Sequence, residues 1–427
     1  MYFVGALVAS SLLMVQCELS LVQVVMVSRH SIRTPYAPTN GTVSDFSSYT
    51  NLPFPTYVDW NMTEYDFENQ YVTPQGTILM QRLGSYYRER WGAGGLSQIS
   101  CEQITCFADY GGEASRDLDS AIAWLEGFEI CPDVPIQLVN ETTNPLMQGV
   151  LSDHYQIGSC ELATEDQVMG MYGGDPDALT TMYEDGIIKV GEVLEMTGST
   201  DDPFNAPICK NVNPLYDENP VESCTLMDIE YVWFGDYFGE FQSPLYLASY
   251  FAEAWMFQYL GNLETYAFGA LDLASLRDLY SMHIENLWLG TNIWNSVAYS
   301  SQQLGYIIAS IDQMVSNDGV DGVPQDANTQ LVLLFSHDTN ILYLRKLLDL
   351  NWIPIGHGNN VATPGGALNF ELHRDDVDGS YFVKVGAVHS RLYSHGVLHC
   401  IILPVLFCLV VCWPILITIA GVHRCLA

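Results

Sequence analysis

The hydrophobic positions in the first part of the chain follow a strand pattern and then a helical one. Residues 21–27 are apolar and mostly β-branched apart from Gln23, which predicts a buried strand. Proline and glycine at 74–76 are typical of a helix start, and apolar residues at helical spacing predict a helix over 77–91. A second helical pattern covers 117–128. This succession of elements indicates an α/β core.

The middle of the chain has a different character. Residues 131–289 are rich in Tyr, Trp and Met, and from residue 244 onward the apolar positions recur mostly with helical spacing. No clear strand pattern alternates with these helices. The sequence therefore predicts a mainly helical insertion or cap over 131–289, whose aromatic residues are interpreted as core.

Strand patterns return towards the end of the chain. A helix is predicted over 303–315, and continuous apolar residues at 331–335 predict a second buried strand with a helix after it. Two further strands are predicted around an Asp-Gly turn, at 367–372 and 381–385. A chain of 427 residues is too long for one small domain. We assign the α/β core to residues 18–130 and 290–396.

Apolar segments at the two ends predict export and anchoring. The first fifteen residues carry no charge, and the residues before Cys17 predict a signal peptide over 1–17, a buried first strand being the alternative. Residues 400–422 carry no formal charge and would span about 34 Å as a helix. The sequence therefore predicts a transmembrane helix over 397–422 and a short cytoplasmic tail over 423–427. A removed lipid-anchor signal and a buried core helix remain alternatives.

The charge of the chain restricts its partners. It has 50 acidic and 15 basic residues, a formal net charge of −35. Such a surface repels nucleic acid and anionic membranes, so no nucleic-acid partner is expected. The composition suits an acidic compartment, although a solvated acidic face is a simpler interpretation. An anionic substrate can bind only where the few arginines are concentrated.

Cysteines and sequons agree with the secretory pathway. Zinc binding is not favoured, because the cysteines form no Cys-x-x-Cys pairs. Glycosylation sequons stand at Asn40, Asn61 and Asn140. We predict a single-pass membrane protein whose large domain is luminal or extracellular, in a lysosome-like, vacuolar or cell-surface location. Up to three disulfides are predicted among six cysteines: Cys101, Cys106, Cys131, Cys160, Cys209 and Cys224.

Two short polar motifs directly follow the predicted buried strands. Arg29-His30 follows the first strand and His337-Asp338 follows the second. If both strands belong to one parallel sheet, the motifs meet at its carboxyl edge, where open α/β sheets bind ligands. Arg29 and Arg33 carry planar cationic groups suited to phosphate oxygens, and they favour a neutral, nucleophilic His30. With a second histidine and a carboxylate, this set of residues suits phosphoryl transfer.

These motifs resemble those of the histidine acid phosphatases, the second branch of the histidine phosphatase superfamily. Residues 29–35 are similar to the family's Arg-His-Gly-x-Arg-x-Pro signature, and residues 336–339 look like its His-Asp motif. The resemblance covers roughly residues 21–393, because further family-like segments stand at 72–76, 83–84, 115–121 and 365–372. It implies an α/β fold with a mostly parallel sheet flanked by helices, like that of phosphoglycerate mutase, and with a helical insertion or cap.

The resemblance also implies a role for each matching residue. His30 is the nucleophile that becomes a phosphohistidine, and Asp338 protonates the leaving alcohol and later helps to activate water. Arg29, Arg33 and His337 hold the phosphoryl oxygens. Neither a metal ion nor a cofactor is implied, because the arginines supply the positive charge.

Two positions depart from the family pattern. Ser31 replaces a glycine, which could tighten the approach of the loop to a phosphate. Ala114 stands where the family has a further phosphate-binding arginine, and Arg116 follows two positions later. We treat Arg116 as the candidate replacement in substrate binding, the alternative being an arginine that faces solvent.

The leading hypothesis is a membrane-anchored acid phosphatase that hydrolyses phosphomonoesters of small molecules outside the cytosol. A phytase or inositol-polyphosphate phosphatase of the same family needs a strongly basic pocket, and the low content of Lys and Arg argues against it. An inactive surface-binding relative is a further alternative, which the displaced arginine favours and the otherwise complete set of site residues disfavours. The oligomeric state is left open.

Overall fold

The computed structural model covers most of the predicted core. It describes residues 19–35, 49–50, 52–110, 116–139, 145–147, 163–175, 177–196, 225–229, 231–233, 241–354, 358–389 and 407–409. The predicted signal peptide, the predicted cytoplasmic tail and the sequons at Asn40 and Asn140 lie outside these residues. The sequon residue Asn61 is described and is exposed.

In the described part of the chain, strands form one seven-stranded sheet and a two-stranded hairpin. The order in the large sheet is β3-β2-β6-β1-β7-β8-β9, and β4 pairs with β5. The strands are β1 Leu19–Arg29, β2 Ile104–Asp109, β3 Ile136–Val139, β4 Val232–Trp233, β5 Phe241–Gln242, β6 Leu331–Ser336, β7 Ala367–Asp375, β8 Tyr381–Val388 and β9 Phe407–Leu409.

Strand β1 lies in the middle of the large sheet. It pairs in parallel with β6, with Arg29 opposite Ser336, and antiparallel with β7. The pairs β6–β2 and β2–β3 are also parallel, whereas β7, β8 and β9 complete the other half in antiparallel pairs. Because β1 and β6 are parallel neighbours, their carboxyl ends meet at one edge of the sheet. The predicted α/β class and the predicted meeting of the two strand ends are confirmed.

Helices flank this sheet and fill the middle of the chain. The central residues of β1 and all of β6 are buried, which explains why both strands have continuous apolar runs in the sequence. The helices are α1 Glu64–Glu68, α2 Pro74–Trp91, α3 Arg116–Phe128, α4 Glu165–Gly170, α5 Asp177–Met182, α6 Glu184–Val193, α7 Pro244–Leu260, α8 Leu273–Gly290, α9 Ile293–Ser316 and α10 Asp338–Leu347.

Helices α2 and α3 pack backbone against backbone. A Cβ atom at Gly84 would lie 2.1 Å from the carbonyl oxygen of Trp124, and one at Gly127 would lie 1.9 Å from that of Gln81. No side chain larger than hydrogen fits at either position, so these two glycines set the separation of the helices. This packing brings the start of α3 beside the loop that follows β1.

The range predicted as an insertion is mainly helical, and one strand within it belongs to the large sheet. Helices α4 to α7 and all of α8 except its last residue, Gly290, lie within 131–289, and so do the short strands β4 and β5. Strand β3 also lies in this range, yet it pairs with β2 in the large sheet. The core therefore extends at least to Val139. A four-residue edge strand, with only its last residue buried, is too short to give a clear sequence pattern.

The predicted transmembrane segment is described at three positions, and these form a strand. Phe407–Leu409 is β9, which pairs antiparallel with β8. The remaining positions of 397–422 lie outside the described residues. Among the described helices, none is long and apolar enough to cross a membrane. Where a helix was predicted, β9 is found, because periodicity does not separate a short apolar strand from a helix segment.

The structure describes three of the six cysteines for which disulfides were predicted. Cys101 and Cys131 form a disulfide with Cα atoms 5.5 Å apart, in agreement with the prediction of disulfides. Cys106 lies in β2 as a buried free thiol, so it does not join a disulfide. Its side chain packs in the hydrophobic core. The three other predicted cysteines, Cys160, Cys209 and Cys224, lie outside the described residues.

Candidate active site

His30 lies directly after β1, at the carboxyl edge of the sheet, and is only 3% exposed. Its Nδ1 lies 2.8 Å from the carbonyl oxygen of Ser31. A carbonyl oxygen only accepts, so Nδ1 carries the proton and the lone pair is at Nε2. Burial lowers the pKa of His30 well below its usual value, and the nearby guanidinium groups of Arg116, Arg29 and Arg33 lower it further. His30 is therefore a neutral imidazole with a nucleophilic nitrogen.

Hydrogen bonds fix the loop that carries His30. The backbone amide of Ser31 donates to Oγ of Ser120 in α3 at 2.9 Å. The Ser31 hydroxyl donates to the carbonyl oxygen of Gly76 in α2 at 2.7 Å. Ser31 is fully buried, so the serine that replaces the family's glycine ties the loop to both helices.

Arg29 and Arg33 are held by the backbone and by carboxylates. Arg29 Nη1 donates to the carbonyl oxygen of Ala362 at 2.7 Å, and Nη2 lies 2.8 Å from Oδ2 of Asp338. Arg33 Nη1 donates to the carbonyl oxygen of Thr34 at 2.9 Å. Burial alone would lower the pKa of Arg29, but its acidic neighbours outweigh burial and raise it, so this guanidinium stays charged.

His337 faces His30 across the crevice. The two ring centroids are 5.9 Å apart, with the planes at 71°. His337 Nε2 lies 2.7 Å from Oδ2 of Asp109, and Nδ1 lies 3.7 Å from Oδ2 of Asp117. Burial acts to lower the pKa of His337, but the charges of Asp117 and Asp109 outweigh it and raise that pKa. Burial also raises the pKa of Asp117 to about 7.

Asp338 is the first residue of α10 and lies beside the arginine pair. Its Oδ1 accepts a hydrogen bond from the backbone amide of Thr339 at 2.8 Å, while its Oδ2 pairs with Arg29. Burial alone would raise the pKa of Asp338. The charge of Arg29 leads the opposing effects, and the resulting pKa lies below the usual value. Asp338 is therefore ionised while it is paired with Arg29.

Arg116 is the first residue of α3 and reaches the same crevice. Its Nε lies 3.9 Å from Oδ2 of Asp117. Among the charged neighbours of His30, Arg116 has the largest effect on the pKa of that imidazole. A position in bulk solvent, the alternative left open by the sequence, is therefore wrong. Ala114, which aligns with the family's arginine, lies outside the described residues.

Helices α7 and α8 contribute residues that the sequence analysis missed. Glu253 Oε1 in α7 lies 3.4 Å from Arg29 Nη2 and 3.6 Å from Arg33 Nη2. His283 Nε2 in α8 lies 3.3 Å from the same oxygen. Glu253 is the one charged residue in the sequence of α7. An isolated carboxylate in an apolar helix is a signal for a buried ion pair, since an unpaired buried charge is costly.

Two groups of side chains have the composition of a metal site. In each group the candidate ligand atoms lie within 4.8 Å of one another; the groups are Asp109, Asp117 and His337, and Glu253, His283 and Asp338. An arginine already lies at ion-pair distance from each group, Arg116 beside the first and Arg29 beside the second. These arginines provide the positive charge that a metal ion would otherwise supply.

The crevice thus brings together every residue that the sequence singled out: Arg29, His30, Arg33, Arg116, His337 and Asp338. The sequence model of the histidine phosphatase superfamily (branch 2) matches residues 20–386, which is most of the chain. The chain belongs to this branch of the superfamily. The predicted family and the predicted enzyme class, a phosphoric monoester hydrolase, are confirmed.

Two curated relatives of this chain have named activities. Phytase AppA of Escherichia coli (strain K12) is 26% identical over 385 residues, which cover 88% of this chain and 82% of the relative. Glucose-1-phosphatase of Salmonella typhimurium (strain LT2) is 24% identical over 405 residues, which cover 90% of this chain and 86% of the relative. The matches extend over nearly the whole described domain.

Solved structures share the fold of this chain. The phytase from Citrobacter braakii has a TM-score of 0.66 at 23% identity, covering 87% of this chain and 86% of the phytase. Hafnia alvei phytase in complex with tartrate has a TM-score of 0.66 at 20% identity, covering 87% and 85%. At these identities the likeness establishes the fold.

Proposed function

We propose that this chain is an acid phosphatase that hydrolyses phosphomonoesters through a phosphohistidine formed on His30. The observation that carries the proposal is the state of His30, a buried neutral imidazole with its lone pair at Nε2. Three guanidinium groups act on it, and His337 faces it at 5.9 Å. Such a site places a nucleophile among groups that neutralise phosphoryl oxygens.

In the first step, Nε2 of His30 attacks phosphorus in line with the leaving oxygen. The N–P bond forms, the O–P bond breaks, and Asp338 gives the leaving alcohol its proton. Arg29, Arg33, Arg116 and His337 neutralise the phosphoryl oxygens. Asp338 is ionised while it pairs with Arg29. When a phosphoryl monoanion engages Arg29, it weakens this pair and brings the proton that Asp338 needs.

In the second step, water replaces the alcohol. The Asp338 carboxylate takes a proton from the water, whose oxygen attacks phosphorus as the N–P bond breaks. The products are inorganic phosphate and neutral His30. The site returns to its starting state when the proton on Asp338 passes to the departing phosphate and the carboxylate pairs again with Arg29. The arginines stay charged throughout, and each step needs only residues of this chain.

We propose that the substrates are small phosphomonoesters, and the alternative substrates are phytate-like polyphosphates. One curated relative is named for each kind of substrate, the glucose-1-phosphatase for the first and the phytase for the second. The three arginines at His30 face four nearby carboxyl groups, at Glu253, Asp338, Asp109 and Asp117. A crevice whose arginines are matched by carboxyl groups suits one phosphoryl group better than several.

Turnover of nitrophenyl phosphate, glucose 1-phosphate and phytate across pH tests this proposal. We expect activity in acid and a kcat/KM for the two monoesters above that for phytate. Preferred hydrolysis of phytate would identify the rival phytase activity. No turnover and no phosphoenzyme with any of them would leave an inactive binding relative as the better interpretation.

Arg116 is proposed to replace the family's third phosphate-binding arginine. Arg116→Ala should weaken inhibition by inorganic phosphate by about ten- to a hundredfold, the range expected for a lost charge-assisted hydrogen bond. It should also raise the pKa of His30, because the largest opposing charge is removed. The acid limb of kcat/KM would then move to higher pH. Arg82→Ala, at an exposed position in α2, is the matched control. Equal phosphate inhibition in both variants would show that Arg116 does not bind phosphate.

Location outside the cytosol and membrane anchoring also belong to the proposal. The disulfide between Cys101 and Cys131 supports an oxidising compartment. Anchoring through 397–422 stays a prediction from the sequence. If residues 397–422 anchor the protein, we expect the full chain to resist extraction from membranes by alkaline carbonate. A chain that stops before Val397 should be secreted. Release of the full chain by carbonate would contradict a spanning segment.

A further inference from the structure

We propose that Glu253 is a positioning residue that holds the arginine pair and makes the site select a phosphoryl monoanion over a dianion. The inference rests on the proposed phosphatase function and concerns how the same site chooses its substrate form. Glu253 comes from the helical insertion, whereas the arginines come from the core.

Glu253 contacts both arginines with a single oxygen. Its Oε1 lies 3.4 Å from Arg29 Nη2 and 3.6 Å from Arg33 Nη2, and the side chain is only 5% exposed. A buried carboxylate at this distance from two guanidinium groups interacts strongly with both, because water screens it little. It therefore restrains the two groups relative to each other.

Phe257 adds a second restraint from the same helix. It follows Glu253 by one turn of α7, so both side chains lie on one face. The centroid of the Phe257 ring lies 5.7 Å from Cζ of Arg29 and 4.9 Å from Cζ of Arg33. An aromatic face attracts cations and suits the flat guanidinium group. Helix α7 thus supports both arginines with a carboxylate and a ring.

The charges that face Glu253 come from several elements. Arg29 and Arg33 belong to β1 and the loop after it, and Asp338 belongs to α10. From α8, His283 lies 3.3 Å from the carboxylate, and burial holds the pKa of His283 below its usual value. Tyr280, also in α8, is neutral, since burial raises its pKa to about 12. Glu253 is therefore the residue of the insertion that acts as counterion to Arg29 and Arg33.

The balance of charge in the crevice suits one negative charge. By formal charge, the crevice holds four positive groups, Arg29, Arg33, Arg116 and a protonated His337, and three carboxylates, Glu253, Asp338 and Asp109. The fourth carboxyl group, Asp117, is protonated in acid, because burial raises its pKa to about 7. One positive charge is left over, which a phosphoryl monoanion neutralises. A dianion would leave the crevice with an uncompensated negative charge next to Glu253, which is unfavourable in a buried site.

Replacing Glu253 with glutamine tests this role. The Gln amide oxygen can still accept hydrogen bonds from the arginines, but the negative charge is lost. We expect inhibition by inorganic phosphate at neutral pH to tighten about tenfold, because a nearby repulsive charge is removed. The alkaline limb of kcat/KM for nitrophenyl phosphate should move to higher pH by about one unit. The variant would then accept the dianion, which forms above the second pKa of a phosphomonoester, at about 6. The effect should appear in KM more than in kcat.

Two further variants make the result specific. Glu264→Gln removes the same charge from an exposed position of the insertion and should match the wild type. Glu253→Asp keeps the charge on a shorter side chain, so KM should rise while the alkaline limb stays in place. If Glu253→Gln does not fold, Glu253→Asp still tests the proposal through these two expected results. A wild-type pH profile in Glu253→Gln, or an alkaline shift in Glu253→Asp, would overturn the proposal.

The outcome is separable from the proposed function. A wild-type chain without turnover and without a phosphoenzyme contradicts the proposed function by itself. In that case calorimetric titration with inorganic phosphate still compares wild type and Glu253→Gln. Tighter binding of phosphate by the variant at neutral pH supports the selection of charge by Glu253, and equal or weaker binding contradicts it.

Discussion

Replacing His30 with alanine is expected to lower kcat by about 10⁴-fold or more, the scale seen when a catalytic nucleophile is removed. The reason is that Nε2 of His30 is the atom proposed to form the bond to phosphorus. His337 cannot replace it, because its two ring nitrogens face Asp109 and Asp117, whose charges raise its pKa. The variant should remain folded. It loses the hydrogen bond from Nδ1 to the Ser31 carbonyl, a change of about 1 kcal/mol.

The experiment has a covalent readout and a matched control. Brief incubation of the wild type with labelled substrate, quenched without acid, should trap an acid-labile phosphoenzyme that His30→Ala does not form. His373→Ala is the control. His373 lies in β7 opposite Leu21, near the start of β1, whereas His30 follows the other end of β1. Thermal unfolding of both variants checks the fold. A His30→Ala enzyme with near-normal kcat would rule out His30 as the nucleophile.

Replacing Asp338 with asparagine should slow alkyl phosphates far more than nitrophenyl phosphate. An alkyl phosphate leaves as a strongly basic alkoxide and needs a proton, whereas nitrophenolate is stable without one. General acid catalysis is worth about 10²–10⁴-fold, and this is the gap expected between the two substrate types. The measurement is kcat/KM for both substrates in the wild type and the variant.

The comparison of two substrates isolates proton transfer from other effects of the change. Asp338→Asn also removes the ion pair with Arg29, and this affects the phosphoryl group that both substrates share. Its contribution cancels in the ratio of the two rates. Equal losses for both substrates would assign the acid to another residue. A wild-type pH profile without an acidic optimum would contradict the acid phosphatase assignment.

The central strands and their motifs could be predicted from the sequence for a physical reason. A strand buried on both faces must be apolar along its whole length, so β1 and β6 stand out, and the polar residues at their ends mark the edge of the sheet. The helix predicted over 77–91 is found as Pro74–Trp91. Arg116 is found in the crevice, two positions after the residue that aligns with the family's arginine.

Other parts of the site could not be predicted from the same patterns. Helix α7 is apolar on nearly all sides, so its periodicity does not indicate which face meets the core, and Glu253 is its one charged residue. The contacts of Glu253 with Arg29 and Arg33 depend on how the insertion sits on the core. Asp109 was missed because β2 was not recognised, although it ends a strand just as Arg29 and Ser336 do.

The position of β1 has a consequence for how the protein is made. Val24 pairs with Leu331 on one side and with Glu371 on the other, so both neighbours of the first core strand come from the last part of the chain. Ribosomes add roughly 5–20 residues per second, so this apolar strand waits on the order of 15–60 s for its partners. Contacts of such high sequence separation form slowly, and an unpaired strand is prone to aggregation. We therefore expect a chaperone to hold the nascent chain during synthesis until β6 and β7 emerge.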